Sequence, residues 1–486
     1  MKSSKTPSPR INMTSIFPVI AAAVVTALLL TLCAAPALAG GSRVADVNAS
    51  QPVDNSTWYL AEGSIAWGFN TYITIENPNG VEVNADVTYM PTAAANVHKE
   101  YTLPAKSHTS IWGDNIAQDI GAAQDFSTMV HCREGLPIAV DRTMTWTGKD
   151  AASPEAHSSI GVTAPETTWY LPEGSSKWGF ECWLLIQNPG SDVAHCHVTY
   201  MIEGAEPQTV DHDIPATSRK SFSMKDDIGE QDASIKVESD IPVIPERSMY
   251  RNNRREGHDS IGAAFVWKNS YLAEGTTNYG FTTYVLIQNP NGAENRVDVT
   301  FMTPSGPVAY QENPFVMPAY SRKTIRVNDV LPNTDFSTVV SGEDFSVIAE
   351  RAMYWDSGQG EACHDSIGMT EPHKTFYLPD GWSGAAPTMG VTDYETYTLV
   401  QNPNSVPVDV EISYLTYNGK GDIFFKDTIS AQSRKTYTMG DKVTDNKVAI
   451  MVECLTPEPN NRIIVERSMY WNHKGSGTDT IGGYSD

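Results

Sequence analysis

Three short stretches of this chain bring together the residue types of a proton relay. They are His258-Asp259-Ser260, His364-Asp365-Ser366 and, with one member changed, His157-Ser158-Ser159; a fourth reads Thr478-Asp479-Thr480. A hydrolytic triad needs its imidazole to touch both a carboxylate and a hydroxyl at one point. Neighbours on an extended chain point to opposite faces, so these residues cannot form that relay among themselves. Two of the four copies also lack a member, and catalysis is not expected from them. Upstream of each copy a second group recurs: Asp141-Arg142-Thr143-Met144-Thr145-Trp146, Glu246-Arg247-Ser248-Met249-Tyr250, Glu350-Arg351-Ala352-Met353-Tyr354-Trp355 and Glu466-Arg467-Ser468-Met469-Tyr470-Trp471. Period-2 alternation places Arg with Met and Trp on one strand face and the acid, Ser and Tyr mostly on the other.

An unpaired charge on an apolar face is prohibitively costly. Arg142, Arg247, Arg351 and Arg467 are therefore expected to grip carboxylates. The first choice is the acid opening each unit, Glu62, Glu173, Glu274 and Asp380, in a bidentate contact. The closing aspartates Asp259, Asp365 and Asp479 compete for that role, and exposed arginines are the third option.

Stepping outward, these groups sit in a unit of roughly a hundred residues that occurs four times, and such a period suits a sandwich domain better than a solenoid repeat. The units open on Trp58-Tyr59-Leu60-Ala61-Glu62-Gly63, Trp169-Tyr170-Leu171-Pro172-Glu173-Gly174, Tyr271-Leu272-Ala273-Glu274-Gly275 and Phe376-Tyr377-Leu378-Pro379-Asp380-Gly381. An aromatic-Gly-aromatic loop follows in three of them, then an alternating strand ending at Asn77-Pro78, Asn188-Pro189, Asn289-Pro290 or Asn402-Pro403. Proline presets φ there, so a hairpin is expected. A Pro-Ala-x-Ser-Arg corner (Pro215–Arg219, Pro318–Arg322), a short polar turn, the arginine strand and the His-Asp-Ser segment complete the unit. Many short strands with turn signals between them define the expected fold class: all-β, four tandem antiparallel β-sandwich (Ig-like) domains in an extended array. The boundaries are 57–164, 165–267, 268–372 and 373–486. Links such as Val162–Thr168 and Met369–Lys374 are short and contain proline, which favours a semi-rigid rod.

Residues 1–39 read as a signal peptide: a basic start, the apolar run Ile16–Ala35 and Ala37-Leu38-Ala39 as a cleavage site. Residues 40–56 read as a polar tail. A secreted or cell-surface location follows, with membrane attachment only if the leader stays uncleaved. The formal net charge is −24, which disfavours nucleic acid as a partner. The combined motifs resemble uncharacterised exported bacterial proteins built from tandem WYLAEG…NP…ERSMYW…HDSIG β-sandwich repeats. That resemblance implies a surface or secreted repeat protein and brings no activity or ligand residues.

Cys182 and Cys196 are equidistant from Pro189, and on a symmetric hairpin they would face each other, so a disulfide is expected there in an oxidising compartment. Cys132, Cys363 and Cys454 have no evident partner. No spacing matches a zinc or calcium site, and neither a metal nor a cofactor is expected, with calcium at an interdomain joint the alternative left open. Trp67, Trp178 and Tyr279, each before a glycine, are the candidate binding residues; they either offer flat faces to sugar rings or plug the ends of their own sandwiches. The leading reading is an exported, non-enzymatic structural, adhesive or assembly component; the alternative is a carbohydrate-binding array. The partners compatible with either are cell-wall or extracellular glycans, other surface proteins, and further copies of the chain.

Overall fold

The computed structural model describes residues 54–358, 360–416 and 421–486; the expected leader and most of the polar tail lie outside these. The first repeat shows the plan. One sheet orders its strands Thr57–Leu60, Phe126–Cys132, Val83–Pro91, Val97–Leu103; the other orders them Ser107–Ile111, Asn70–Asn77, Ala139–Trp146, Glu155–Ile160. Every pairing is antiparallel, so the protein is all-β and built of antiparallel sheets. The other repeats keep this order with local fusions. In the second, a single strand, Ala233–Arg251, runs through both sheets, and in the fourth Thr375–Ala386 does so. The polar turn is a helix at Gly113–Ile120 and at Met224–Ile228, and a 3-10 turn at Val327–Asp329 and Met439–Asp441. In Asn295–Thr303 period-2 alternation puts Val297, Val299 and Phe301 on the inner face, where all three are buried, whereas Arg296 is exposed.

The Asn-Pro turn is not a hairpin. Asn70–Asn77 and Val83–Pro91 lie in different sheets, so the chain crosses from one layer to the other. The asparagine makes that crossing stable, because its amide satisfies carbonyls that no ladder reaches. Asn77 Nδ2 donates to the carbonyls of Val81, Leu103 and Pro104 at 2.9, 3.1 and 2.8 Å, and Asn188, Asn289 and Asn402 do the same in their repeats. Cys182 and Cys196 are therefore on opposite sheets rather than on paired strands. Cys182 is opposite Met249, and Cys196 lies between His212 and Ser239. Both are free thiols, which overturns the expected disulfide.

The repeats do not run end to end as a rod. The closing strands Glu155–Ile160, Glu256–Ile261, Glu361–Ile367 and Ser476–Ile481 pack on one another in a closed cycle, first on second, second on third, third on fourth and fourth on first. Direct bonds fasten the seam between the fourth repeat and the first. Ile160 N donates to Thr480 Oγ1 at 2.9 Å, Ser476 Oγ to Glu155 Oε1 at 2.7 Å and Trp471 Nε1 to the Pro154 carbonyl at 2.7 Å. The cores are not four separate bodies either: buried apolar residues of the first, second and fourth repeats form one continuous cluster, while most of the third repeat's form another. The short links act by turning each unit onto its neighbour, where the second face of every arginine strand finds its cover.

One position marks each contact between neighbours. Gln187, Gln288 and Gln401 are fully buried, and each donates to a carbonyl of the preceding repeat, Thr128, Ile235 and Thr338, at 3.3, 3.2 and 3.3 Å. In the first repeat the residue is Glu76, equally buried, with both carboxyl oxygens lacking a hydrogen-bond partner among the described residues. Burial, then the nearby Asp141, pushes its pKa well above the usual carboxylate range. The folded state thus holds a proton that the unfolded chain releases above its ordinary pKa, and stability falls as pH rises through that window. Glu76→Gln is expected to stabilise the protein by about 1–3 kcal/mol at pH 8 and to be nearly neutral at pH 4. Urea melts of both proteins across this range check it.

Candidate functional site

The arginine strand is buried on both faces, not on one. Asp141, Glu246, Glu350 and Glu466 are as inaccessible as the arginines beside them. The simple alternation read from the sequence fails because the neighbouring repeat covers the outer face. Each arginine consequently reaches across a joint. Arg142 Nη2 donates to Glu246 and Asp259 of the second repeat, with its own Glu62 3.3 Å away. Arg247 Nη2 meets Glu350 Oε1 at 2.6 Å and Asp365 Oδ1 at 2.9 Å, both in the third repeat, and its own Glu173 at 3.6 Å. Arg351 bonds its own Glu274 at 2.8 Å, bonds Asp479 of the fourth repeat, and lies 3.4 Å from Glu466. The opening acid and the closing aspartate therefore share the guanidinium, the latter supplied by the next unit.

The fourth pairing, Arg467 with Asp380, is not formed. Arg467 Nη2 is 3.9 Å from Asp141 of the first repeat, and its nitrogens have no hydrogen-bond partner among the described residues. Asp380 instead takes Lys447 Nζ at 3.0 Å and the Tyr72 hydroxyl at 3.1 Å. Aspartate is one methylene shorter than the glutamate of the other units, and a lysine reaches it first.

The joints carry more acid than base. At the first, burial together with Asp259 and Glu62, opposed by Arg142, pushes Glu246 up to about 7. Burial opposes ionisation of Asp259 too, but His157 and Arg142 outweigh it and hold the group below its usual range. At the second joint the roles reverse: burial and Glu350 raise Asp365, while Arg247 prevails over burial to keep Glu350 low. At the third, burial lifts Glu466 to about 8, and Asp479 is held at about 2 by Arg351 and His364 against burial. At the seam, burial and Asp380 lift Asp141 to about 8. Each of the first three joints thus sets a carboxyl with a raised pKa beside one with a lowered pKa around a guanidinium.

The His-Asp-Ser segment also works between units. His157 Nε2 is 2.8 Å from the Tyr250 hydroxyl and its Nδ1 is 3.3 Å from Arg142 Nη1; His258 faces Tyr354 and Arg247, and His364 faces Tyr470, in the same way. The three histidines are buried, with Tyr250 and Tyr470, while Tyr354 is partly exposed.

At the rim of each joint the aromatic-Gly-aromatic loop projects outward. Trp67, Trp178 and Tyr279 are 79%, 69% and 68% exposed, so they do not plug their sandwiches. All three adopt left-handed backbone, φ 58, 53 and 53°, followed by glycine at φ 87, 82 and 86°. A bulky residue in that region costs about 1–2 kcal/mol, and neither ring burial nor core packing offsets it here. Trp67 overhangs a groove of about 340 Å³ between the first two repeats, lined also by Asp125, Trp183, Arg219, Tyr250 and Arg254; its Nε1 donates to Asp125 Oδ2 at 3.2 Å. The arginine of the Pro-Ala-x-Ser-Arg corner reaches the preceding repeat, and Arg219 lines this groove. Arg219 bonds the Gly63 carbonyl at 3.4 Å, Arg322 that of Gly174 at 3.2 Å and Asp232 at 2.8 Å, and Arg434 that of Gly275 at 2.9 Å. Their recurrence was the available signal. At the seam Trp382 stacks on Tyr394 with centroids 4.8 Å apart, and Lys447 lies over Trp382, Tyr72 and Trp112; a groove of about 290 Å³ between the first and fourth repeats is lined there by Tyr72, Trp146, Tyr394 and Trp471.

No family model matches the chain, and no curated protein matches it. Among solved structures, Thermotoga maritima 1070 is 22% identical over 20% of this chain and 94% of its own, with a TM-score of 0.19. The Anabaena sensory rhodopsin transducer is also 22% identical, over 17% and 92%, with a TM-score of 0.15. A tetra-tandem repeat from the extending region of a large adhesion protein is 9% identical over 84% and 93%, at 0.10.

Removing one buried joint partner should strand the others. Arg247→Met is expected to lose about 3–5 kcal/mol, whereas Arg254→Ala at the exposed rim loses under about 1 kcal/mol; urea midpoints compare them. Burial pushes the Cys182 thiol up to about 12, so Cys182 and Cys196 should resist alkylation in the folded protein and both react once it is unfolded without reductant, which intact mass reads directly.

Proposed function

We propose that this chain is an exported, non-enzymatic binding scaffold that presents carbohydrate-binding grooves at the joints between its repeats, as an adhesive or assembly component outside the cell. The observation carrying this reading is the set Trp67, Trp178 and Tyr279: exposed rings held in costly backbone, with Arg219 lining the groove beside Trp67. Flat aromatic faces suit the apolar faces of sugar rings, and neighbouring Asp and Arg groups suit their hydroxyls. Three such exposed rings on one chain favour multivalent attachment to a repeating polymer. The acid and imidazole groups that look catalytic are sealed inside the joints, which favours a non-enzymatic role. Among the described residues no helix is long and apolar enough to cross a membrane; the leader read at residues 1–39 is what supports export.

A glycan array with the purified protein, followed by titration of the best ligand, tests this. Trp67→Ala, Trp178→Ala and Tyr279→Ala should each weaken binding at their groove about 5–10-fold, and the triple variant should bind nothing, all with unchanged thermal midpoints. A triple variant that retains wild-type affinity would overturn the reading.

A further inference from the structure

We propose that each of the three intact joints holds one divalent metal ion of the zinc or manganese class. The ligands are Glu62, His157 and Asp259 at the first, Glu173, His258 and Asp365 at the second, and Glu274, His364 and Asp479 at the third. In every set one ligand atom from each residue lies within 4.8 Å of the other two, and all nine residues are buried. Donors at the usual 2.0–2.2 Å from such an ion stand about 3.5 Å apart, so small side-chain movements complete the coordination.

Two independent features point to a cation. The first is orphaned donors. Asp259 Oδ1, Glu173 Oε2, Asp365 Oδ2, His364 Nδ1 and Asp479 Oδ1 are buried without a hydrogen-bond partner among the described residues. His157 Nδ1 is 3.1 Å from Asp259 Oδ1, and His364 Nδ1 is 3.4 Å from Asp479 Oδ1, so in both sets the imidazole faces the carboxylate across a gap that an ion could bridge. The other neighbour of His157 Nδ1 is Arg142 Nη1 at 3.3 Å, and in the tautomer that carries its proton on Nε2 the Nδ1 lone pair is available to a cation. Nε2 is meanwhile oriented by the Tyr250 hydroxyl, as the far nitrogen of a metal-bound imidazole usually is. The second feature is charge. Three carboxylates surround one guanidinium at each joint: Glu62, Glu246 and Asp259 around Arg142, and their counterparts around Arg247 and Arg351. The outer arginines Arg219, Arg322 and Arg434 do not alter the count, since Asp125, Asp232 and Asp335 offset them. The carboxyl groups thus outnumber the guanidinium at every one of these joints, and a divalent ion would supply the missing positive charge.

The seam behaves as this assignment requires. There the histidine position is Thr478, in the fourth repeat, and the aspartate position is Ser158, in the first. Two ligands from opposite ends of the chain are missing at the same joint, and a side-chain cation, Lys447, sits on the remaining acid, Asp380, at 3.0 Å. Arg467 and Lys447 then face Asp141 and Asp380, so the seam already carries a basic group for each of its acids. A donor set of one imidazole and two carboxylates suits zinc, manganese or ferrous ions; calcium and magnesium prefer oxygen alone.

The test is to unfold the full-length chain in chelator and refold it with zinc, manganese, calcium or no metal, since buried sites load during folding. Native mass spectrometry should count three zinc or manganese ions per chain and no calcium, and the loaded protein should melt higher. Asp259→Asn, Asp365→Asn and Asp479→Asn should each bind two; His157→Gln replaces Asp259→Asn if the latter does not refold. Ser158→Asp with Thr478→His and Lys447→Met should bind four. A metal-free mass with an unchanged melt, or a count of three that survives the aspartate variants, would overturn the assignment.

Discussion

A guanidinium buried between two repeats is the constraint from which the rest of this architecture follows. Its charge cannot be left unmatched in a water-free site, and the nearest acids belong to two units at once: Glu173 from its own and Glu350 with Asp365 from the next, around Arg247. A strand carrying such a residue has to be covered on both faces, so no repeat can complete its interior alone. Repeating that requirement through four units leaves the last arginine strand uncovered unless it meets the first, and the chain closes on itself.

Much of this is legible in the amino acids, and the missing part has a clear cause. The presence of a buried ion pair follows from an arginine among Met, Trp and β-branched residues, and the inward set Val297, Val299 and Phe301 follows from alternation alone. Which copy of a motif pairs with which does not follow, because in a tandem array the partner within a unit and the partner in the next unit are chemically identical. Asn77-Pro78 and its relatives have turn chemistry that serves a hairpin or a crossing between sheets equally well; the deciding factor is the set of carbonyls that Asn77 satisfies across the sandwich, which is tertiary. The disulfide expectation inherited that error. A further overlooked signal was the joint occurrence of His157-Ser158-Ser159 and Thr478-Asp479-Thr480. Read as broken triads they mean little; read as two sides of one interface they locate the seam.

The exterior grooves and the interior charges share a backbone. Glu62 belongs to the buried set, the next residue's carbonyl receives Arg219, and Ser64 bonds Asp125, which holds Trp67. Gly63 is required at this crossing point, since a Cβ there would come within 2.8 Å of the Phe126 ring. Four residues thus connect a sealed electrostatic joint to an exposed aromatic face. The rigidity of the first sets the position of the second, which is how a groove keeps its shape without bound ligand.

The seam around Asp380 and Lys447 has a broader consequence. An oligomer assembled from identical subunits presents every contact in multiple copies, so any substitution is imposed on all of them together. Writing the four quarters into one polypeptide removes that restriction. One interface has exchanged a histidine and an aspartate for a lysine, and one rim has folded its tryptophan inward, while the remaining three stayed as they were. Gene duplication here gives independently adjustable neighbours, and the symmetry that organises the molecule does not oblige its parts to remain alike.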